Sequence, residues 1–373
     1  MHNKEVIIVG GGVIGCAIAY YLARMNVKAL VIESEEIGHG GSSRNGGGVR
    51  QSARDPRELP LAMHAIRYMW PHLSDELGVD VEYCQKGNLR LAKTEEHIKI
   101  LERVIAQGTS LGLELKLIDQ EEVREICPYV SDEVIAASYC PTDGHGNPMV
   151  TTLAYYKRAR ELGAEFITGE MVQSIAIRKG KVAGIKTKLG TYESDQVILA
   201  AGYESRAIAN TVGIDIPMQR VLVEALVTDQ QPSMFPQMIG TAASDFYGHQ
   251  TKHGSFVFGG MTGLEPYASE VERPVTRSIT APSICRAILG YFPAIGKTNI
   301  VRTWSGWLDV CADHVPILSI VDEVPGLTLA CAFSGHGYGI APAVGQLMAE
   351  LVVNGSPSLS LDAFCYDRFK PKS

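Results

Sequence analysis

An α/β fold with two domains is predicted by three features of this 373-residue sequence. The length exceeds the usual size of a single hydrophobic core and favours about two domains. A β-branched run at the start is followed by a glycine-rich turn, a helical segment and a second apolar run, which is the order of a βαβ unit. The alternation of strands and helices returns after residue 143, whereas residues 219–292 are rich in strand patterns. One domain is therefore expected to be interrupted by pieces of the other.

The first element is a strand that leads into a glycine-rich turn. Val6–Val9 is a short β-branched run, typical of a strand buried on both faces. Three glycines in G-x-G-x-x-G spacing follow it. The first permits a tight turn, the second lets a pyrophosphate approach the backbone, and the third allows the helix to pack closely on the strand. The helix that follows, up to Arg24, offers free N–H groups and the positive end of its dipole to a phosphate.

The second strand, Lys28–Ile32, ends at Glu33. A carboxylate at this position accepts hydrogen bonds from an adenosine ribose, so the unit is predicted to bind the ADP part of NAD or FAD. The residues predicted to contact this part are Gly10, Gly12, Val13, Ile14, Gly15, Glu33 and Ser34.

A second glycine-rich segment follows closely and reads S-S-R-N-G-G-G-V-R from Ser42 to Arg50. An NAD site does not need it, so an NAD-dependent dehydrogenase would explain only the first cluster. FAD is longer, and its flavin reaches toward another domain. We expect the start of the segment to follow the pyrophosphate and ribityl chain, and its glycines to let the backbone pass close to the flavin. The segment adds Ser42, Ser43, Arg44, Asn45, Gly46, Gly47 and Gly48 to the predicted cofactor contacts.

The rest of the chain divides into helices and strands by its hydrophobic periodicity. Helices are predicted at 55–75, 95–111, 119–126, 149–162 and 338–353, a strand pair at 83–93, and strands within 165–194, 195–202, 219–292 and 300–329. Asp119 and Glu122 fit a capping box at the start of one helix. We predict a discontinuous nucleotide-binding domain formed by 1–55, 140–215 and 300–373, and a substrate-binding domain formed by 56–139 and 216–299.

Composition and charge argue against several classes of protein. The 34 basic and 41 acidic residues give a net charge of −7 without a basic block, which argues against nucleic acid as a partner. The eight cysteines contain no C-x-x-C pair, so no metal site is expected. The apolar run Val6–Ala23 is interpreted as a buried strand and helix rather than a membrane span, because of its glycine spacing and charged flanks. A cytoplasmic protein with reduced thiols is expected.

Four motifs occur together in this chain: the G-x-G-x-x-G with Glu33, the segment Ser42–Arg50, V-I-L-A-A-G ending at Gly202, and S-G-H-G-Y-G-I-A-P-A from Ser334. In this order they resemble the FAD-dependent D-amino-acid oxidase, glycine oxidase and sarcosine oxidase superfamily over essentially the whole chain. The resemblance implies a Rossmann-like FAD-binding domain joined to a substrate domain with a mixed or antiparallel β-sheet and helices. It implies further cofactor contacts at Val172, Ala201, Gly202, Gly335, His336, Gly337, Tyr338, Gly339 and Ile340.

A fifth motif narrows the resemblance. The stretch from Trp304 to Pro316 fits W-x-G-x-x-D-x-x-x-D-x-x-P. It resembles the β subunits of heteromeric amine dehydrogenases and oxidases, namely sarcosine oxidase, L-proline dehydrogenase, hydroxyproline dehydrogenase, opine oxidase and hydrogen cyanide synthase. D-amino-acid and glycine oxidases carry an arginine where this chain has Leu308. Monomeric sarcosine oxidases carry a lysine where it has Gly339, and this difference favours a dehydrogenase over an oxidase.

This resemblance implies oxidation of a secondary-amine amino acid, such as sarcosine, proline, hydroxyproline or an opine. A hydride would pass from the α-carbon to flavin N5 and leave an imine. The chain would be the catalytic β subunit of a complex with FAD/iron–sulfur α and small subunits. FAD is expected to be non-covalent, and an FMN at an interface with another chain of the complex would be non-covalent too, because 147–150 lacks a histidine. A stand-alone glycine or D-amino-acid oxidase and a non-catalytic FAD-binding scaffold remain alternatives.

Four residues are candidates for the active site, and each has a structural alternative. Arg50 would pair with the substrate carboxylate, because an unpaired buried charge is costly; alternatively it contacts the flavin or a phosphate. His336 would act electrostatically beside the flavin, or it caps a helix. Tyr247 and His249 would line the substrate pocket, or they pack in the core or on the surface.

Overall fold

The computed structural model describes residues 6–260 and 273–370, so the predicted domain ranges also take in 1–5, 261–272 and 371–373, which lie outside the described residues. The strands are β1 (Val6–Val9), β2 (Ala29–Ile32), β3 (Gly48–Val49), β4 (Asn88–Ala92), β5 (Lys116–Asp119), β6 (Ala136–Cys140), β7 (Gly144–His145), β8 (Glu165–Ile167), β9 (Val172–Arg178), β10 (Lys181–Thr187), β11 (Thr191–Glu193), β12 (Val197–Leu199), β13 (Met218–Gln230), β14 (Met238–Thr241), β15 (Phe246–Gln250), β16 (Ser255–Gly260), β17 (Ile300–Cys311), β18 (Ile317–Ile320) and β19 (Leu327–Cys331). The helices are α1 (Val13–Arg24), α2 (Leu59–His64), α3 (Leu73–Leu77), α4 (Glu95–Ser110), α5 (Gln120–Ile126), α6 (Pro148–Glu161), α7 (Ser205–Asn210), α8 (Thr280–Tyr291) and α9 (Gly337–Asn354).

A six-stranded sheet carries the first glycine-rich turn. Its order is β18-β19-β12-β1-β2-β8, and all pairs are parallel except β18 with β19. Helices α1, α6 and α9 pack together on one face, and the small sheet β9–β11 covers the other. Because both faces are covered, the strands are apolar throughout, as the β-branched run at Val6–Val9 predicted.

An eight-stranded sheet forms the second layered unit, in the order β17-β13-β16-β15-β14-β4-β6-β5. It is mixed, because β14 and β4 are parallel while the other pairs are antiparallel. One face is covered by an apolar core rich in phenylalanine, formed with α5 and α8. The fold class predicted from the sequence is confirmed.

Two predictions from the sequence differ from the structure: the strand pair at 83–93 and the domain to which residues 300–311 belong. Residues 83–93 contain one strand, β4, because Gly87 (φ +91°) turns the chain and Cys84 bridges to His145 instead. Strand β17 was assigned to the nucleotide-binding domain, but it pairs with β13 in the eight-stranded sheet. The division into two domains otherwise stays a prediction.

Candidate active site

The first glycine cluster is packed so tightly that its backbone leaves no room for side chains. Gly10 has φ +109°, and a Cβ there would lie 2.4 Å from the Ala200 carbonyl oxygen. A Cβ on Gly15 would lie 1.9 Å from the Gly10 carbonyl oxygen. These contacts bring Ala201 and Gly202 (φ +54°), just after β12, to the same turn. The turn therefore needs glycine at the positions predicted from the motif.

The two glycine clusters meet at the N-terminus of α1. The Val13 N–H donates to Ser42 Oγ at 2.8 Å, and a Cβ on Gly12 would lie 2.9 Å from the same oxygen. Because the first N–H groups of a helix have no partner within it, this end is suited to an anion. The position of Ser42 Oγ shows that an oxygen atom can accept a hydrogen bond from the N-terminus of α1.

Glu33 closes the turn from the side of β2. Its Oε2 accepts the Gly11 N–H at 2.6 Å, and Oε1 accepts the Glu35 N–H at 2.9 Å and the Ser34 hydroxyl at 3.1 Å. The Glu33 carbonyl accepts the N–H of Glu170 at 3.0 Å, two residues before Val172 begins β9. The predicted adenosine contacts at the end of β2 and the start of β9 are therefore close to each other.

The second glycine cluster runs between the two large sheets. Asn45 fixes it, because Nδ2 donates to the Ser42 carbonyl at 2.9 Å and Oδ1 accepts the Gly47 N–H at 2.9 Å. A Cβ on Gly46 would lie 2.7 Å from Tyr247 Cε2, and the Arg44 carbonyl accepts the Trp304 Nε1–H at 2.9 Å. Gly48 pairs with His145 in the short ladder of β3 and β7. The segment therefore touches β15 and β17 of the eight-stranded sheet.

A buried ion pair of Arg54 and Glu58 supports the start of α9. Both side chains are at most 1 % exposed, and Arg54 Nη2 also donates to the His336 carbonyl at 3.2 Å. Glu58 Oε2 lies 3.3 Å from His336 Nδ1. Burial acts to raise the pKa of Glu58, but Arg54 and the hydrogen bond to His336 together lower it. This pair is not among the residues predicted from the sequence, although its i,i+4 spacing is a signal for it.

The same ion pair explains the glycine at 339. A Cβ there would lie 2.9 Å from Arg54 Nη2 and 3.5 Å from both the Arg50 nitrogen and the Gly48 carbonyl oxygen. Its carbonyl accepts the Trp70 Nε1–H at 2.8 Å. The first turn of α9 is thus held against the second glycine cluster, and no lysine fits without displacing Arg54.

The loop before α9 is held by Asp309. Ala332 (φ +62°) and Ser334 (φ +53°) adopt left-handed backbone conformations that cost free energy in non-glycine residues. Asp309 Oδ2 accepts the Phe333 N–H at 3.1 Å, and its carbonyl accepts the Ser334 N–H at 3.0 Å. Burial raises the pKa of Asp309 to about 6, although the backbone N–H of Phe333 opposes the shift. Asp309 therefore positions Gly335 and the residues that follow it.

Two predicted cofactor residues in the first turn of α9 have buried side chains. The Tyr338 hydroxyl lies 3.0 Å from Thr151 Oγ1, and its ring packs edge-on against Trp70 at 5.1 Å. The Tyr338 side chain is therefore in the core, so a cofactor contact would have to come from its backbone. Ile340 is fully buried as well.

Arg50 has no carboxylate partner among residues 6–260 and 273–370. Its Nη1 donates to the Ser52 carbonyl at 2.7 Å. The nearby Asp143 is already occupied, since it accepts the Gln51 N–H at 2.6 Å and the Ser52 hydroxyl at 2.5 Å. Burial lowers the pKa of Arg50 to about 10, and repulsion from Arg90 and Arg54 adds to this. Arg50 stays charged at neutral pH without a carboxylate partner in the described residues.

Tyr247 and His249 lie on the face of β15 that is turned toward the glycine cluster, but in different surroundings. Tyr247 is 40 % exposed, and the partial burial of its hydroxyl raises its pKa while Arg50 opposes the shift. His249 is 5 % exposed and stacks on His145, with ring centroids 3.9 Å apart. Burial lowers the pKa of His249 well below its usual value. His249 therefore packs as a neutral ring beneath Gly47, and a catalytic role for it stays a prediction.

His336 is also held neutral. Burial lowers its pKa more than the hydrogen bond with Glu58 raises it.

Among the described residues, no group of three or more His, Cys, Asp or Glu side chains could hold a metal ion. The same residues contain no helix that is long and apolar enough to cross a membrane.

Comparison with known proteins decides the family. A model described as FAD dependent oxidoreductase matches residues 5–351. The chain belongs to this family. It is 26 % identical to the β subunit of sarcosine oxidase from an Arthrobacter species, over 99 % of this chain and 91 % of that protein. It is 26 % identical to an opine oxidase subunit from Agrobacterium tumefaciens, over 95 % of this chain and 97 % of the relative.

A solved structure shows the same fold. L-Proline dehydrogenase from P. horikoshii superposes with a TM-score of 0.91 and 30 % identity, over 99 % of this chain and 98 % of that one. The family predicted from the sequence motifs is therefore confirmed, and with it an FAD-dependent oxidoreductase. The individual site residues stay predictions.

The geometry fits FAD. The α1 N-terminus, Glu33 and the start of β9 form one polar edge suited to an ADP group. The glycines at 46–48 continue from this edge to the eight-stranded sheet, where side chains at 46 and 47 would collide with Tyr247 and the Gly146 carbonyl. A long dinucleotide that ends between the two sheets uses both clusters.

Proposed function

We propose that this chain oxidises a secondary-amine amino acid at its α-carbon to an imine, with FAD as the cofactor. The observation that carries the proposal is Arg50, a half-buried cation with no carboxylate partner in the described residues. Arg50 follows closely on the glycines that approach the eight-stranded sheet. Its charge acts to lower the pKa of the Tyr247 hydroxyl, so the two side chains are near each other. Relatives named sarcosine oxidase, opine oxidase and proline dehydrogenase support a secondary amine as the substrate.

The residues of the chain bind and orient the substrate. FAD supplies the hydride acceptor, so no protein nucleophile is required. Arg50 would fix the carboxylate with its planar guanidinium, and the Tyr247 ring would limit the position of the amine carbon. Helix α9 begins at Gly337, and its free N–H groups favour negative charge there. His336, held neutral by burial, adds no competing charge.

FAD is proposed to bind without a covalent bond. The cysteines nearest the S-G-H-G loop are Cys311 and Cys331, which are at most 1 % exposed. Burial raises the pKa of Cys311 to about 11 and raises that of Cys331 well above its usual value. A thiolate is the reactive form of cysteine, so neither is suited to attack a flavin.

The chain is further proposed to act as the catalytic β subunit of a cytoplasmic complex that passes electrons through FAD/iron–sulfur α and small subunits. The names of its relatives as subunits of oxidases support this role. The same proposal includes an FMN at an interface with another chain of the complex. Co-purification of tagged protein from its native host would test it, and a chain recovered alone with full turnover would contradict it.

Turnover of a panel of amino acids with an artificial electron acceptor tests the proposed activity. N-Substituted amino acids should be oxidised, and glycine and D-amino acids should react poorly because Leu308 replaces an arginine. Preference for primary amines would favour a stand-alone oxidase, and no turnover at all would favour a scaffold. Gly339, where monomeric sarcosine oxidases carry a lysine, favours a dehydrogenase over an oxidase. Hydrogen peroxide formed in proportion to the substrate consumed would contradict this preference.

A further inference from the structure

One row of residues crosses the eight-stranded sheet from β6 to β17. The register pairs Ser138 with Arg90, Arg90 with Gly240, Gly240 with Tyr247, Tyr247 with Gly259, Gly259 with Ala225, and Ala225 with Trp304. Residues that pair directly have their side chains on the same face of a sheet. We call this set the cross-strand row.

The cross-strand row faces the second glycine cluster. Trp304 donates to the Arg44 carbonyl at 2.9 Å, and the Tyr247 ring lies against Gly46. The neighbours of Arg90 on β4, Leu89 and Leu91, point into the phenylalanine-rich core on the other face. Arg90 is therefore on the same face as Tyr247, beside the segment that carries Arg50.

Glycine keeps the row open between Arg90 and Tyr247. A Cβ on Gly240 would have only the Arg90 side chain and the Phe246 carbonyl near it, none closer than 3.9 Å. Neighbouring strands lie about 4.8 Å apart, so two steps separate the Arg90 and Tyr247 backbones by roughly 10 Å. No side chain of β14 therefore separates Arg90 from Tyr247.

Arg90, like Arg50, has no carboxylate partner among residues 6–260 and 273–370. Its Nη2 donates to Ser244 Oγ at 3.3 Å. Ser138, next to it in the row, is 1 % exposed, and its hydroxyl has no partner in the described residues. Burial lowers the pKa of both Arg90 and Arg50, and Arg90 repels Arg50. Two desolvated cations that repel each other are stabilised by an anionic ligand.

We infer that Arg90 and Arg50 together select a substrate with two carboxylates, an amino acid whose nitrogen carries a second carboxyalkyl group. The inference rests on the proposed function and names its substrate class. Arg50 binds the carboxylate next to the carbon that is oxidised. Arg90 binds the carboxylate of the N-carboxyalkyl arm, across Gly240.

Binding of unreactive analogues to the flavin-loaded full chain tests this without turnover. Diglycolate is the ether analogue of a dicarboxylate amine, and methoxyacetate is the analogue with one carboxylate. Calorimetry should give diglycolate a Kd at least about tenfold lower than methoxyacetate, the effect of a hydrogen bond to a charged group. Arg90→Met should remove this preference by raising the Kd of diglycolate much more than that of methoxyacetate, and Arg90→Lys should retain part of it.

Arg124→Met is the matched control, because Arg124 lies on α5, which packs on the opposite face, and pairs with Asp132 at the surface. It should keep the preference. If Arg90→Met does not fold, Arg90→Gln makes the same comparison. An equal preference in wild type and the Arg90 variants, or no preference in wild type, would overturn the inference.

Turnover of iminodiacetate and sarcosine reports on the proposed function separately. Oxidation of both amines without dependence on Arg90 would support the proposed function and overturn the dicarboxylate inference. Arg90-dependent binding of diglycolate with no oxidation of any amine would contradict the proposed function and leave the two-cation site in place.

Discussion

Arg50 and Arg54 are four residues apart and have opposite surroundings. Arg54 is buried in an ion pair with Glu58 and also holds two backbone carbonyls, at Arg50 and His336. Arg50 has one backbone partner and no carboxylate in the described residues. A charge that the fold has already neutralised can only support the structure. A charge that it leaves without a carboxylate partner is available to a ligand, and this difference separates the two roles.

The largest effect is expected from breaking the Arg54–Glu58 pair. Glu58→Ala leaves the Arg54 charge buried without its partner and should lower the free energy of unfolding by about 3–5 kcal/mol. Urea denaturation of the flavin-loaded protein measures this. Arg57→Ala is the control, because Arg57 is 40 % exposed and pairs with Asp55 and Asp313 at the surface, where about 1 kcal/mol or less is expected. Equal losses in both variants would contradict a special role for the buried pair.

Arg50→Ala should weaken substrate binding, whereas Glu58→Ala should chiefly lower the free energy of unfolding. The substrate loses a charge-assisted hydrogen bond, so KM for a carboxylate substrate should rise about ten- to a hundredfold while FAD stays bound. Steady-state kinetics and the ratio of flavin to protein measure the two effects. Loss of FAD with unchanged KM in the residual holoenzyme would assign Arg50 to the cofactor instead.

The free energy of unfolding should depend on pH through Asp309, which holds the loop before α9 and is not proposed to contact the substrate. The pKa of Asp309 is raised from 3.8 to about 6, so the folded protein binds its proton more tightly than the unfolded chain. The stabilisation is present below about pH 4 and is lost as the pH rises through 6, on the order of 1–3 kcal/mol. Asp309→Asn keeps an acceptor for the Phe333 N–H. The stability difference between wild type and this variant should fall over that range, and a flat difference would contradict the shift.

The smallest effect is expected from Tyr247→Phe. The ring keeps its place against Gly46 and Gly259, and the hydroxyl makes no hydrogen bond with the described residues. Stability should change by less than about 0.5 kcal/mol, and KM by a factor of about three or less. A large fall in kcat with unchanged KM would instead assign the hydroxyl a part in proton transfer.

The sequence predicts the cofactor side of the site better than the substrate side. Gly10, Gly15 and Glu33 act through local backbone geometry, which a motif records directly. Arg90 could not be found in this way, because its place depends on the register of seven strands that come from distant parts of the chain. The direction of the Tyr338 side chain could not be predicted for a related reason, since it follows from packing against Trp70 and Thr151.

Anaerobic titration of the flavin-loaded protein with a secondary-amine amino acid tests the proposed function most directly. The visible absorbance of the oxidised flavin should bleach in proportion to substrate, and Arg50→Ala should need much higher concentrations for the same bleaching while its flavin remains bound. A wild-type flavin that stays oxidised with every N-substituted amino acid would contradict the proposed activity.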